Sequence, residues 1–501
     1  MKTQITNYIR AAYPALYIVS AEEQRVESEL KSVSDLLGYE LHFWTPVAGL
    51  VNIATGTVSN AADPLEALDG IAEAQEKSIF ILKDFHLYWD ASNPNPVLVR
   101  KMKDVLVAAK ATSKTIVVLG CRVVLPPELE REVTVLDFTL PDKEQLSRVL
   151  DGIIASAELQ EIDGDLRSKV LESAKGLTTI EAENAMALSV VETKTVTPEI
   201  VAREKAQALK KGGILEVVES RVNLNLVGGM DVLKSWLINR QQAFTERATA
   251  YGLPCPKGLL ILGIPGTGKS LTAKATASVF GVPLLRLDAG KLFGSLVGQS
   301  EGNLRSAIAT AEAISPCVLW IDEIEKGFAG SKSSASSDGG TSARVFGSFL
   351  NWMQEKASMV FVIATANDIS QLPPELLRKG RFDEIFFVDL PSQKEREQIW
   401  MIQISKYGRK PEDFDTVQLS RITDGLTGSE IEAVFTEALY TAFASNREPS
   451  DLDIASIMNE FTSLAETMAE SIKALRTWAR GRARLATKPE PQAQGRKLAT
   501  A

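Results

Sequence analysis

The stretch "GIPGTGKSLTAKATA", residues 263–277, decides the fold. Gly263, Gly268, Lys269 and Ser270 complete the pattern Gly-x-x-x-x-Gly-Lys-Ser. Glycines let backbone N–H groups turn inward around the β- and γ-phosphates of a nucleotide, and a helix N-terminus adds its dipole. Lys269 is expected to reach the phosphates as a point charge, and the Ser270 hydroxyl to ligate magnesium. Before it, "KGLLILG" is a short apolar run suited to a buried parallel strand, and a helical pattern follows it. A glycine-rich turn with a chance lysine would lack that strand and helix.

Farther along, "CVLWIDEIEKGF" reads as a second buried strand with Asp322 and Glu323 at its C-terminal end, where α/β sheets place their ligands. Asp322 fits a magnesium carboxylate, and Glu323 fits the base that orients an attacking water. A third strand, "MVFVIATAN", ends in Asn367, and "LPPELLRKGRFDE" then carries Arg378 and Arg381. Alone, two arginines near a turn are more often a solvated face. Presented by a second subunit, they could stabilise charge that develops on the γ-phosphate.

The totals fit this reading. A chain of 501 residues is too long for one core. Hydrophobic residues at 45% and charged residues at 24% are ordinary globular values. A net charge of −9 argues against coating nucleic acid by bulk electrostatics. Cys121, Cys255 and Cys317 are scattered and only His42 and His86 accompany them, which disfavours a zinc site or a disulfide framework. No signal-peptide core opens the sequence and no apolar run reaches membrane-spanning length, so a soluble protein of a reducing compartment is expected.

With these motifs in place, residues 220 to 445 resemble the AAA family of ATPases. "NLVGGMDVLKSWL" resembles the family's adenine-contacting segment, with Val227 and Gly228 at the contacting positions. "TDGLTGSEIEAVFTEAL" resembles the opening of its lid helix, with Gly428 and Ser429 where the family has a Gly-Ala sensor. The resemblance implies that ATP is held by Pro265, Gly266, Thr267, Gly268, Lys269, Ser270 and Leu271, with Mg2+ on Ser270 and Asp322. It further implies a homo-oligomeric, hexameric ring, Asn367 as sensor one, and Arg378 and Arg381 as fingers acting across subunits. The family's substrate loop falls in "LDAGKLFGSLVGQSEGNLR", where Leu296, Val297 and Gly298 replace the usual aromatic, apolar and glycine residues. Phe293 could add bulk there, or pack beneath the loop. "GSKSSASSDGGTSAR" is expected to be a flexible loop.

The first half repeats the second in outline. "TIVVLGCRVVLPPELEREVTVLDFTLPD" parallels "MVFVIATANDISQLPPELLRKGRFDEIFFVDLPS" in its strand, Pro-Pro-Glu-Leu, second strand and Leu-Pro. "GLTTIEAENAMAL" parallels "GLTGSEIEAVFTEAL", and "IFILKDFHLYW" parallels "VLWIDEIEKGF" with Asp84 opposite Asp322 and Phe85 opposite Glu323. At the phosphate-loop position the first half reads Ser-Ala-Glu-Glu-Gln from Ser20, without glycine and with two carboxylates that repel a triphosphate. Gly120-Cys121 stands near the place of Ala366-Asn367.

The expected fold is therefore α/β: a parallel-sheet P-loop AAA module with a helical lid, preceded by a degenerate AAA-like α/β module. The expected domains are the degenerate module over 1–200, a linker over 201–220 with its Lys-Lys-Gly-Gly breaker, the ATPase large subdomain over 221–392, a helical lid and C-terminal helix over 393–480, and a basic, disordered tail over 481–501. Leu464, Met468, Ile472, Leu475 and Trp478 predict one amphipathic helix, and "TPEIVAREKAQALK" predicts another. Arg480, Arg482, Arg484 and Lys488 form a basic cluster; a solvated tail is the plain reading, and an acidic partner or nucleic acid the other.

"SPCVLWIDEIEKGF", "TANDISQLPPELLRKGRFDEIFFVDLPS" and "IKALRTWARGRARLAT" resemble more particularly the family called hypothetical chloroplast reading frame forty-six, over nearly the whole chain. That resemblance implies a cytoplasmic or stromal ATPase without a protease or nuclease domain; from the lack of a membrane-spanning apolar run, no membrane partner is expected. Two functions stay open: ATP-driven remodelling or threading of a protein partner, and a nucleotide-controlled scaffold or switch. A nucleic-acid motor rests only on the basic tail.

Overall fold

Apolar runs buried on both faces build the two central sheets. The computed structural model describes all residues except 60, 90–94, 161, 219–221, 245, 294–298, 329–338, 379 and 489–501. The chain divides into two units, Met1–Lys205 and Ala206–Ala501.

The first unit carries strands β1 (Ala15–Val19), β2 (Glu40–Thr45), β3 (Gly49–Asn52), β4 (Val58–Ser59), β5 (Ser78–Lys83), β6 (Thr115–Gly120) and β7 (Val133–Asp137). Their spatial order is β4-β3-β2-β5-β6-β1-β7. The second unit carries β8 (Leu215–Val218), β9 (Gly258–Gly263), β10 (Leu284–Leu287), β11 (Cys317–Ile321), β12 (Val360–Ala366), β13 (Glu384–Val388) and β14 (Arg484–Leu485), in the order β14-β13-β9-β12-β11-β10-β8.

Set aside the edge strands and both units share one topology. The parallel core β7-β1-β6-β5-β2 runs fifth, first, fourth, third, second in chain order, and so does β13-β9-β12-β11-β10. Every residue of β9 and β12 is buried, as parallel strands covered on both faces require. Leu260, Leu319 and Val362 pack on one face of the second sheet, and Ile261, Trp320 and Phe361 on the other. The lid has its own core around Trp400 and Phe435.

The repeat also fixes equivalent positions. Asp84 and Glu323 both have left-handed backbone, with φ of 54° and 48°. Each precedes a 3-10 turn whose first residue is buried, Phe85 or Ile324. One strand step earlier, Leu82 faces Val118 and Ile321 faces Ala364, two residues before Gly120 and Ala366, which face Val19 and Leu262. Asp84 thus matches Glu323, Lys83 matches Asp322, and Cys121 matches Asn367. The pattern comparison, which set Asp84 against Asp322 and Phe85 against Glu323, was one residue out of register.

Other differences lie at the edges. Within the span 201–220 expected as a linker, the described residues include the end of a helix (Pro198–Gly212) and strand β8 (Leu215–Val218), which pairs antiparallel with β10. The expected C-terminal helix breaks at Met468 into Leu464–Thr467 and Ala469–Ala479. The first residues of the expected disordered tail are ordered: β14 pairs with β13, and Ala486 is 1% exposed in the core. The serine-rich loop lies mostly outside the described residues, and from Gly339 onward it is helix. Among the described residues no helix is long and apolar enough to cross a membrane.

Candidate nucleotide site

The site collects at the C-terminal ends of β9, β11 and β12. After β9 the chain bends through Gly266 and Gly268, with φ of 77° and 90°, and enters the helix Lys269–Phe280. Those angles are strained for any residue with a Cβ. The Thr267 hydroxyl donates to the Ile264 carbonyl at 2.7 Å and pins the loop from within. Lys269 is 6% exposed; its Nζ donates to the carbonyls of Gly263 at 2.9 Å and Ile264 at 2.7 Å. Burial pushes this ammonium down to about 8, against the pull of Glu325, Asp322 and Glu323.

Behind the loop, the Ser270 hydroxyl donates to Asp322 Oδ1 at 3.1 Å, and the Thr365 hydroxyl donates to the same oxygen at 2.6 Å. Thr365 Oγ1 also accepts from the Glu323 N–H at 3.0 Å, which secures the left-handed exit from β11. Asn367 Nδ2 donates to Glu323 Oε1 at 3.1 Å, while Lys326 pairs with the other carboxylate oxygen. The Asn367 N–H donates to Glu325 Oε1 at 2.8 Å. A serine hydroxyl and a carboxylate in contact are hard oxygen donors, a donor set that fits a magnesium ion.

The lid closes on the same loop. Its helix Gly428–Ala444 starts with a Thr427–Glu430 capping box, and the Ser429 N–H donates to the Gly266 carbonyl at 3.1 Å. Val227 is 2% exposed. Beside it, the Gly229 N–H donates to Gln398 Oε1 and the Met230 N–H to Glu395 Oε1, each at 3.1 Å. Both acceptors lie on the lid helix Gln393–Lys406. A Cβ on Gly228 would stand 2.4 Å from Ile399 of that helix, so only glycine fits. Pro265 is half-buried, and Leu271 is exposed one residue after Ser270.

Arg378 and Arg381 are not part of this cluster. Arg381 donates to the Glu375 carbonyl within its own turn. Lys257 Nζ holds the Gly380 carbonyl at 2.7 Å, and Asp383 Oδ2 accepts from the Lys257 and Gly258 N–H groups. The arginine turn is thus tied to the N-terminal end of β9, whereas the phosphate loop leaves its C-terminal end, a strand length of about 20 Å away. Leu296, Val297 and Gly298 lie outside the described residues.

Sequence reasoning missed Thr365, Glu325, Gln398 and Glu395. Glu325 had a signal, a third carboxylate in "DEIE", but its contact with Asn367 depends on the pairing of β11 with β12.

Phosphate loop, strand-end carboxylates, strand-end asparagine and lid on this strand order define a P-loop ATPase of the AAA class. Residues 259–390 match the ATPase family associated with various cellular activities (AAA). Residues 1–138 match the SpoVK-like AAA ATPase N-terminal domain, and residues 144–212 the second domain of the same group. The AAA domain-containing protein ycf46 of Pyropia yezoensis is 40% identical over 488 residues, covering 96% of this chain and 98% of its own. That of Guillardia theta is 39% identical over 491 residues, covering 96% and 95%. The ATP-dependent zinc metalloprotease FtsH 1 of Bdellovibrio bacteriovorus is 32% identical over 241 residues, 47% of this chain and 37% of its own. The chain belongs to the ycf46 family of AAA domain-containing proteins, and its AAA domain makes it an ATP hydrolase.

Proposed function

We propose that ATP hydrolysis here is magnesium-dependent, proceeds in a hexameric ring, and drives remodelling or threading of a protein partner. The continuous network Ser270–Asp322–Thr365–Glu323–Asn367 carries the reading. Ser270 and Asp322 would hold the magnesium ion, which supplies charge neutralisation between the phosphates. Lys269 turns from its two carbonyl partners to the nucleotide phosphates. Glu323 orients the attacking water and takes its proton, with Asn367 fixing the carboxylate. The Ser429–Gly266 hydrogen bond ties lid position to the loop that holds the phosphates.

Two observations support the assembly and partner. The arginine turn stands a strand length from its own phosphate loop, which suits a finger offered to a neighbour's nucleotide. The FtsH relative's name joins ATP dependence to action on protein. Glu323→Gln should bind ATP and hydrolyse it very slowly; near-normal turnover removes Glu323 as the base. Arg381→Ala should be nearly inactive and partly rescued by mixing with Lys269→Ala subunits. Absence of rescue at every ratio counts against action across subunits.

The aliphatic Leu296, in place of an aromatic residue, favours the second reading, a nucleotide-controlled scaffold. Leu296→Ala separates the two. Full ATPase activity with lost unfolding of a tagged test protein supports threading; unchanged activity in both assays favours the scaffold.

A further inference from the structure

Glu325 carries no step of the chemistry outlined above beyond its pull on the Lys269 ammonium, yet its placement is costly. It is 8% exposed, and burial raises its carboxyl above the usual range. One oxygen, Oε2, has no hydrogen-bond partner among the described residues. A buried carboxylate opposes folding unless it is held, and here the backbone N–H groups of Asn367, Asp368 and Glu325 itself favour its charged form. The other oxygen accepts from the Asn367 N–H at 2.8 Å. That N–H is the first beyond β12 (Val360–Ala366), where the ladder to β11 has ended. Asn367 therefore bridges two carboxylates: its main chain is held by Glu325, and its side-chain amide holds Glu323 Oε1 at 3.1 Å. Fixing the main chain leaves only side-chain rotation to set where the amide points, and so where Glu323 points.

The first unit supplies an internal comparison. At the positions matching Glu323, Glu325 and Asn367 it has Asp84, His86 and Cys121. His86 is buried, and among the described residues its Nδ1 has no partner and no carboxylate accepts from the strand-end N–H of Cys121. The unit without a phosphate loop has lost the whole bridge while keeping the fold and the left-handed strand exit.

We propose that Glu325 is a positioning residue for ATP hydrolysis, holding the Asn367 turn so that Asn367 keeps Glu323 aimed at the attacking water. With Glu323 and Asn367 in the roles proposed above, Glu325 acts on turnover and not on nucleotide capture.

The test is steady-state ATP hydrolysis by the full chain, with ATP affinity measured separately by titration of a fluorescent ATP analogue. Glu325→Ala should lower kcat about tenfold or more while changing affinity less than about threefold. Glu325→Gln, whose amide oxygen can still accept the Asn367 N–H, should recover most of that loss. The double variant Glu325→Ala with Asn367→Ala should be no slower than Asn367→Ala alone, since residues acting as one unit do not add. The proposal is overturned if Glu325→Ala turns over within about twofold of the parent. It is equally overturned if affinity falls in step with kcat, if Gln rescues no better than Ala, or if the two losses add. Glu323→Gln and Asn367→Ala are measured alongside. If they too turn over normally, the assignment of the site has failed; if they are slow and Glu325→Ala is not, only the positioning role has.

Discussion

Replacing Gly266 by alanine probes the junction on which the nucleotide site depends. Gly266 has φ of 77°, a left-handed conformation that disfavours a Cβ by roughly 1–2 kcal/mol. An added Cβ would also stand 2.1 Å from Ser429 Oγ and 2.8 Å from Thr427 Oγ1, well inside contact distance. Loop and lid must then separate, and the Ser429 N–H to Gly266 carbonyl bond of 3.1 Å is lost with them, about 1 kcal/mol net. Together these give about 2–3 kcal/mol, concentrated where ATP binds and away from the sheet core. ATP affinity should therefore fall about 30- to 150-fold. Titration of a fluorescent ATP analogue measures it directly. Adding Ser429→Ala removes the nearest clashing atom but neither the backbone strain nor Thr427, so the double variant should recover part of the affinity. Binding by Gly266→Ala within about threefold of the parent, or a double variant no better than the single, refutes the reasoning.

Other outcomes follow from charge and capping. Because burial holds Lys269 at about 8 in the folded protein and an ordinary lysine titrates at 10.5, the unfolded chain binds more protons between those values. The nucleotide-free protein should therefore gain stability as pH rises through that window, and ATP binding at pH 9 should take up a proton. Calorimetry in two buffers of different ionisation heat checks the uptake, and none observed contradicts it. Equilibrium dialysis should find one ATP per chain and none in Lys269→Ala; a second nucleotide held by the first unit would overturn its assignment as silent. Asp453 accepts from Arg447 at 2.6 and 2.5 Å and from Ser450 at the start of its helix, so Asp453→Asn should destabilise the lid by about 1–2 kcal/mol in denaturant unfolding. No change in the midpoint would show that the pair contributes nothing.

Local patterns made the central fold legible, and distant pairings hid the rest. Lys269, Ser270, Asp322, Glu323 and Asn367 stand at strand ends that apolar runs announce, so reading the strands located the site. Thr365 and Glu325 enter only because β12 lies beside β11, a neighbour that periodicity does not name. The same blindness explains the edges. Two glycines after Lys211 suggested a break, yet Val218 pairs with Leu284. The arginines near 484 suggested a solvated tail, yet Arg484 pairs with Phe386, its guanidinium 5.7 Å above that ring. Short edge strands are specified by the partner they meet more than by their own composition.

The one-residue error in the first unit has a different origin, and it sharpens what that unit is. Matching aspartate to aspartate followed residue identity, whereas the backbone matches the left-handed exits. In the corrected register the place of Asp322 is taken by Lys83, an ammonium ion-paired with Glu23 at 3.3 Å and with Glu27, both on the helix Glu23–Leu37. Where the second unit joins a serine on its phosphate-loop helix to a carboxylate that fits magnesium, the first joins glutamates on the corresponding helix to a resident cation. The lid contact is replaced in the same way. Glu22, 4% exposed, accepts from the Thr179 N–H at 2.5 Å at the start of the helix Thr179–Thr193. That helix opens with a Thr178–Glu181 capping box, as Thr427–Glu430 opens its counterpart. A carboxylate at a helix N-terminus satisfies the N–H groups and dipole that a phosphate would otherwise satisfy. The first unit thus keeps its lid contact and its charge balance with its own side chains.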